Sequence, residues 1–525
     1  MVFKTKGFVS TLFQIPLSFL SKILFLALFL YSSNSVAQTE GYIDGLENAR
    51  SILNEGQISE ALNLLEAMER TYPGDENVIR LRGQAIYWSK DFEKTKAYFA
   101  RSIEVYPSLQ FIKLDYGRIL FQLQSYREAT PILESYLISN PEDPEANTLL
   151  AQMNYWLGGS PKKSYDYLEK ILKPYPENEA AKSVKSEIEK ATAPKISLQV
   201  GNFSDSQPMR YSFLEGSFGL YQSALLQPEI TASISSYQTD QLISFFNLRN
   251  TSSFTQTGTS ITLSAGFTAS TSWENGVGLY GLKLDQKIKS GFTLNLAADK
   301  ESYFYTLSSL DQAITPTTLK ASFGRESGGD FLGRIWFQNS SFQDNNWVKS
   351  FGAWVLYPVL KLPLIRIELG YTYTHGDSKE VRFEPNLPIQ AKVNNTEVGS
   401  IIPGSYQPYF TPINQQIHGL LGKFTFTPSA SIKLDVSTNI GVKATIDNPN
   451  MIYYGVGNPP ANRPIVEDDL FLILNPLDYT PWDLTFNFEW ALSDYSALQF
   501  SFVHQTTVFF NSNSLNLNFS QRLKR

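Results

Sequence analysis

Between Trp482 and Leu492 the chain reads Trp-Asp-Leu-Thr-Phe-Asn-Phe-Glu-Trp-Ala-Leu, an alternation that leaves few ways to fold it. Trp482, Leu484, Phe486, Phe488, Trp490 and Leu492 share one parity, and Asp483, Thr485, Asn487, Glu489 and Ala491 share the other. Successive side chains of a strand point to opposite faces, so this strand has one dry face and one polar face. A soluble sheet would bury the dry face under helices, but the flanking residues are more alternating strand, which makes lipid the expected cover. The alternative is an edge strand of a soluble sandwich. Trp482 and Trp490 lie about 27 Å apart along a strand and about 20 Å apart vertically at the tilt of a transmembrane barrel. That places each indole at a membrane interface, as a girdle residue.

The chain has 525 residues, too many for one ordinary domain, and mean hydropathy is −0.20 although aromatic residues make up 14%. Barrel strands place half their positions on a polar lumen, so they never build the long apolar run that a hydropathy scan detects. There is no cysteine, which excludes disulfides, thiolate metal sites, cysteine nucleophiles and an acylated cysteine anchor. Lys4, Lys6 and Lys22, the apolar run Ile23–Leu30 and then Ser35-Val36-Ala37 read as a secretory signal peptide over residues 1–37. Cleavage after Ala37 removes three lysines and takes the net charge from −6 to −9.

From 38 to 190 the period becomes helical, with a longer repeat superimposed. Pro73, Pro107, Pro141 and Pro176 are spaced by 34, 34 and 35 residues, and the small residues Ala49, Gly83, Gly117 and Ala151 by 34 each. This is the tetratricopeptide period, in which a small residue lets paired helices cross closely. Ala61, Thr95, Ala129 and Ser164 follow in phase, with Leu65, Phe99, Leu133 and Leu168 four positions on. Gly158-Gly159 marks the one-residue insertion in the last of about four repeats. Such an array binds a partner and carries no chemistry of its own.

After Pro194, alternating strands run to the end, about sixteen by count over 191–525. The expected fold is therefore an α + β multidomain chain: an α-helical tetratricopeptide solenoid followed by a transmembrane antiparallel β-barrel. Long irregular stretches near 375–416 and 446–481 are separated by two strands with only Pro428-Ser429 between them, which puts both on one side. Short connections at Ser493–Ser496 and Asn511–Ser514 bring the last strand down on the other side. Long external loops and short periplasmic turns are the outer-membrane rule, so the repeats are expected in the periplasm.

A cleaved signal, tetratricopeptide repeats and a C-terminal barrel of this size resemble the exopolysaccharide-export porins of diderm bacteria. The likeness is to the outer-membrane subunit of cellulose synthase complexes and to the poly-N-acetylglucosamine export porin. Tyr409-Phe410-Thr411-Pro412, ahead of the strand from His418 to Phe426, is similar to the aromatic-aromatic-Ser/Thr-Pro motif of the cellulose-export family. The resemblance implies a place for these four residues at the pore entrance. Ile413 stands where that family has glutamine, the repeats are fewer, and the C-terminus is not aromatic.

His375, His418 and His504 have no triad or metal-site pattern around them, and Asp468-Asp469 reads as a solvated acidic patch. No enzyme, cofactor or metal is expected. Residues 195–525 carry 23 Lys and Arg against 26 Asp and Glu, a net of −3, so no basic ring for a strongly anionic polymer is visible. Expected partners are outer-membrane lipid, a periplasmic protein held by the repeats, and a neutral or partly cationic polysaccharide, with no nucleic acid. Three functions compete: a polysaccharide-export porin, a barrel-anchored scaffold that recruits envelope proteins without transport, and an outer-membrane enzyme.

Overall fold

The computed structural model describes residues 40–326, 331–387, 392–393, 396–455 and 463–524; the leader read at 1–37 lies outside them. The chain forms two compact units, one through Ser139 and one from Asn140.

The first unit contains α1 (Glu40–Asn54), α2 (Ile58–Thr71), α3 (Glu76–Trp88), α4 (Phe92–Val105), α5 (Gln110–Gln122) and α6 (Tyr126–Ser139). Its helices pair through the small residues of the repeat. A Cβ on Gly83 would sit 2.4 Å from the Phe99 ring, and one on Gly117 would sit 2.3 Å from Leu133. Ala49 and Ala61 are fully buried in one core cluster with Leu65, against which Trp88 also packs. Thr95 occupies a position that is usually alanine because its hydroxyl donates to the Asp91 carbonyl one turn back, at 2.9 Å, and so remains satisfied when buried.

In the second unit, α7 (Pro144–Trp156), α8 (Pro161–Leu172) and α9 (Glu179–Thr192) lead into the barrel. Ala151 and Ser164 are buried against each other, the serine hydroxyl donating to the Ala151 carbonyl at 2.8 Å. Asp75, Asp143 and Asn178, each two residues after a repeat proline, accept from the backbone N–H of Val78, Ala146 and Ala181 and so cap α3, α7 and α9. After Pro107 the corresponding residue is Leu109, and α5 has no side-chain cap.

The barrel wall is built of β1 (Lys195–Asp205), β2 (Arg210–Gly219), β3 (Gln227–Tyr237), β4 (Leu242–Phe254), β5 (Thr259–Ser270), β6 (Val277–Lys287), β7 (Phe292–Lys300) and β8 (Thr317–Arg325). It continues through β9 (Leu332–Ser341), β10 (Trp347–Lys361), β11 (Ile365–Ser378), β12 (Gln415–Ser429), β13 (Ile432–Tyr453), β14 (Trp482–Ser493), β15 (Ser496–Thr506) and β16 (Asn511–Arg522). Every neighbour is antiparallel, and β16 pairs with β1 (Leu198 opposite Phe519), closing a sixteen-stranded barrel with no free edge. Exposed apolar side chains repeat on one parity around it, for example Ile196, Leu198 and Val200, then Leu515, Leu517 and Phe519. A closed barrel with that outer face fits an outer-membrane protein. No helix among the described residues is long and apolar enough to cross a membrane.

Two connections differ from the sequence expectation. The 446–481 stretch is not irregular: β13 runs on to Tyr453 and its far end pairs with a further strand, Leu470–Tyr479, beyond the wall. The last hairpin turns at 507–510, and 511–514 already belongs to β16, because Asn511 pairs with Thr506. The longest connections, 301–316, 379–414 and 454–481, all lie at one end of the barrel, and α9 enters at the other.

Candidate functional site

Closure fixes what the polar parity faces. Outward positions such as Trp482, Phe486 and Trp490 stand beside Phe502 and Phe500, so Asp483, Thr485, Asn487 and Glu489 point into the lumen. Trp482 lies at the loop end of β14 and Trp490 toward the helix-bearing end, both exposed on the outer face.

The lumen face of β6–β9 is charged and internally paired. Arg334 donates to Ser322 at 2.6 Å and Thr293 at 3.1 Å, contacts Asn295, and pairs with Glu326 at 2.6 Å. Lys320 pairs with Glu301 at 2.8 Å, and Lys283 with Asp285 at 3.0 Å. Arg334, Glu326, Lys320 and Lys283 border a recess of about 440 Å³ together with Trp336 and Gln338.

At the loop end, the Tyr409-Phe410-Thr411-Pro412 motif lies in the connection between β11 and β12. Tyr409 is 1% exposed, stacks on Phe342 at 3.6 Å, and donates its hydroxyl to Asp344 at 2.7 Å. Arg382 reaches the same carboxylate at 2.6 Å. Burial alone would push Asp344 up, but the hydrogen bonds from Tyr409 and Arg382 outweigh it and hold the carboxyl below its ordinary value. Burial, with Asp344 as hydrogen-bond partner, pushes the Tyr409 phenol well above its ordinary value. Thr411 is fully buried and accepts from the Arg382 N–H at 2.9 Å; the Pro412 carbonyl accepts from Ser378 at 2.8 Å.

Phe410 shows what this connection spans. Its N–H donates to the Tyr303 hydroxyl at 3.0 Å, in the β7–β8 connection, while its ring stacks on Phe509 at 4.4 Å, in the β15–β16 turn. Those two hairpins are eight strands apart in a ring of sixteen, on opposite sides. The segment is thus a strap across the loop-end mouth. The β7–β8 connection adds to it, accepting from Gln207 (2.9 Å), Gln241 (2.7 Å) and Trp273 (2.9 Å) of three other hairpins.

At the opposite end the repeat insertion has a structural use. Gly158, at φ +81°, accepts at its carbonyl from the N–H of Ala224 in the β2–β3 turn at 3.1 Å. A Cβ on Gly158 would sit 2.4 Å from that of Ala224, so only glycine lets helix turn and barrel turn meet. Lys190 pairs with Asp494 at 2.5 Å, Arg522 donates to the Lys190 carbonyl, and the Leu523 N–H donates to the Pro194 carbonyl at 2.8 Å. Nothing in the periodicity marked this joint beyond the insertion itself.

The histidines lie on the outer face and are not gathered together. His504 packs on Trp482 at 4.8 Å, His418 touches Tyr371 at 2.5 Å, and His375 lies 5.1 Å from Phe351. The acidic pair reads differently in three dimensions. Asp469 is 2% exposed, paired with Arg463 at 2.8 Å and accepting from the Val466 N–H, so it holds a loop together and is not a solvated patch.

No family model matches the sequence, and no curated protein does. Solved structures similar to the chain include a bacterial polysaccharide outer membrane secretin, at 7% identity and TM-score 0.44, over 63% of this chain and 99% of that one. MamA of Desulfovibrio magneticus RS-1 is 20% identical over 29% of this chain and 85% of that one, at TM-score 0.25. A tetratricopeptide repeat protein of Parabacteroides merdae is 16% identical over 29% of this chain and 60% of that one, also at 0.25. Each is a partial likeness of architecture, and no residue role is carried across from it.

Proposed function

We propose that this chain is an outer-membrane porin through which an exopolysaccharide leaves the cell. In this reading the helical repeats stand in the periplasm, recruiting partner proteins or guiding the polymer, and the motif around Tyr409 lies at the external mouth. The observation that carries it is the closed sixteen-stranded wall, apolar outside and hydrophilic on its lumen parity. A barrel of this strand number is wide enough for an aqueous channel. Conduction is passive, and synthesis elsewhere drives the polymer.

The strap favours a second reading, a barrel that anchors a recruiting scaffold without transport, since loops drawn across a mouth are what a closed barrel needs. Single-channel conductance of the full chain in planar bilayers separates the two. The measurement is repeated on Asp344→Asn combined with Tyr409→Phe, which removes the charge and the hydroxyl that pin the strap. The porin reading expects open-channel current, larger or more frequent in the double variant. Silence in both would overturn it in favour of the anchored scaffold.

A further inference from the structure

The lumen wall formed by β13–β16 and β1 carries polar groups of another kind. In register across five strands lie Lys433, Glu489, Gln499, Asn518 and Gln199, each directly opposite the next. One pleat above, Asp435, Asn487, Ser501, Asn516 and Gly201 form a second row. Neighbours in such rows are about 5 Å apart. Gly201 keeps the second row flat: a Cβ there would sit 2.3 Å from the Asn516 amide oxygen. These side chains line a recess of about 430 Å³ in the half of the wall nearer the helix-bearing end.

The contrast with β6–β9 lies in who satisfies these groups. Among the described residues, Asn518 donates weakly to Gln499 at 3.3 Å, while its own amide oxygen is buried without a partner. Gln199, Asn487, Asn516, Ser501 and Glu489 make no side-chain hydrogen bond to protein among the described residues. That buried oxygen of Asn518, left unpaired, costs about 1–3 kcal/mol, while the other amides and Glu489 stand open to the lumen, so a ligand lying along this wall must supply both donors and acceptors. Each amide offers two N–H donors and a carbonyl acceptor, and a sugar hydroxyl is donor and acceptor at once. A uronate carboxylate or a sulfate group offers acceptors only and would stand beside Glu489, with Lys433 already held by Asp435 at 2.5 Å.

The geometry points to a glycan subsite on this wall: Gln199, Asn487, Gln499, Asn516 and Asn518 hold an uncharged oligosaccharide through its hydroxyl groups, with Glu489 excluding anionic sugars. The inference rests on the porin reading and gives that pore its substrate class. Equilibrium binding of tritium-labelled gluco-hexasaccharide and of hexa-galacturonate to the full chain in detergent micelles tests it. Wild type should bind the neutral sugar at least tenfold more tightly than the uronate. Asn487→Ala with Asn518→Ala should weaken neutral binding about tenfold, while Lys320→Ala on the opposite wall leaves it unchanged. The isosteric pair Gln199→Glu and Gln499→Glu keeps the shape, removes N–H donors and should weaken it as well, which guards against misfolding of the alanine variant. Equal binding of neutral sugar and uronate, or equal loss in Lys320→Ala, would overturn the subsite. Open-channel current without neutral-sugar binding overturns the subsite and leaves the porin standing; neutral-sugar binding without current does the reverse.

Discussion

Two recesses of nearly equal size, about 440 and 430 Å³, lie on walls roughly half the ring apart. On β6–β9 the charges are partnered by one another and by hydroxyls; on β13–β16 and β1 the amides are mostly partnered by nothing in the protein. Both walls obey the same alternation of polar and apolar residues. The difference teaches that polar composition alone does not distinguish groups that hold a fold from groups available to a ligand. Cross-strand pairing does.

That comparison breaks most easily at its partnered side. Arg334→Met would take the donor from the part-buried acceptors Asn295, Ser322 and Thr293 while the exposed Glu326 returns to solvent, with an expected loss of about 1–2 kcal/mol. Denaturant unfolding of the barrel in detergent, followed by tryptophan fluorescence, should show it, whereas Asn487→Ala with Asn518→Ala should shift the midpoint little. Equal shifts in the two variants would erase the distinction between the walls.

The strap tests the same idea at the loop end. Asp344→Asn should loosen it by about 1 kcal/mol, since a charged acceptor becomes a neutral one in a half-exposed setting. The pH dependence has a definite sign. Because the folded carboxyl lies below its ordinary value, its contribution is complete above about pH 4, the unfolded value, and is lost as pH falls further. Limited proteolysis of the loop end should therefore accelerate in acid in wild type, and much less so in Asp344→Asn.

A smaller gain is expected in the repeats, where one helix lacks the partner its counterparts have. Leu109→Asp supplies the missing cap of α5, with an expected stabilisation of about 1 kcal/mol, measurable as a later helical thermal transition by circular dichroism. The smallest effect belongs to Lys190→Ala. The pair with Asp494 is solvent-exposed, and the Arg522 side chain on the Lys190 carbonyl with the Leu523 N–H on the Pro194 carbonyl already ties this segment to the barrel rim, so the melting profile should not move.

Much of the architecture was legible because its signals are local. The 34-residue spacing of Ala49, Gly83, Gly117 and Ala151 maps onto helix crossings, since a crossing too tight for a side chain must recur wherever the unit recurs. Even Ser164, an exception to the pattern, keeps the small size and adds a hydrogen bond. The failures were at loops. The span from 446 to 481 lacks a clean alternation because its paired strands extend past the wall, where no closed ring holds one parity outside and the other within. Asp469 looked solvated because the arginine that neutralises it belongs to loop packing and not to any period.

The two repeat periods, the outward face of each strand and the barrel class follow from residue order alone, because they depend on side chains two, four or thirty-four positions apart. Residue order does not say that Tyr409 meets Asp344, that Phe410 bridges Tyr303 and Phe509, or that Gln199 lies beside Asn518; those meetings come from the folded ring. A two-residue period says which way a side chain points but is the same for every neighbour a strand could have. Register and ring closure choose among those neighbours, and with them which polar groups are left for a ligand.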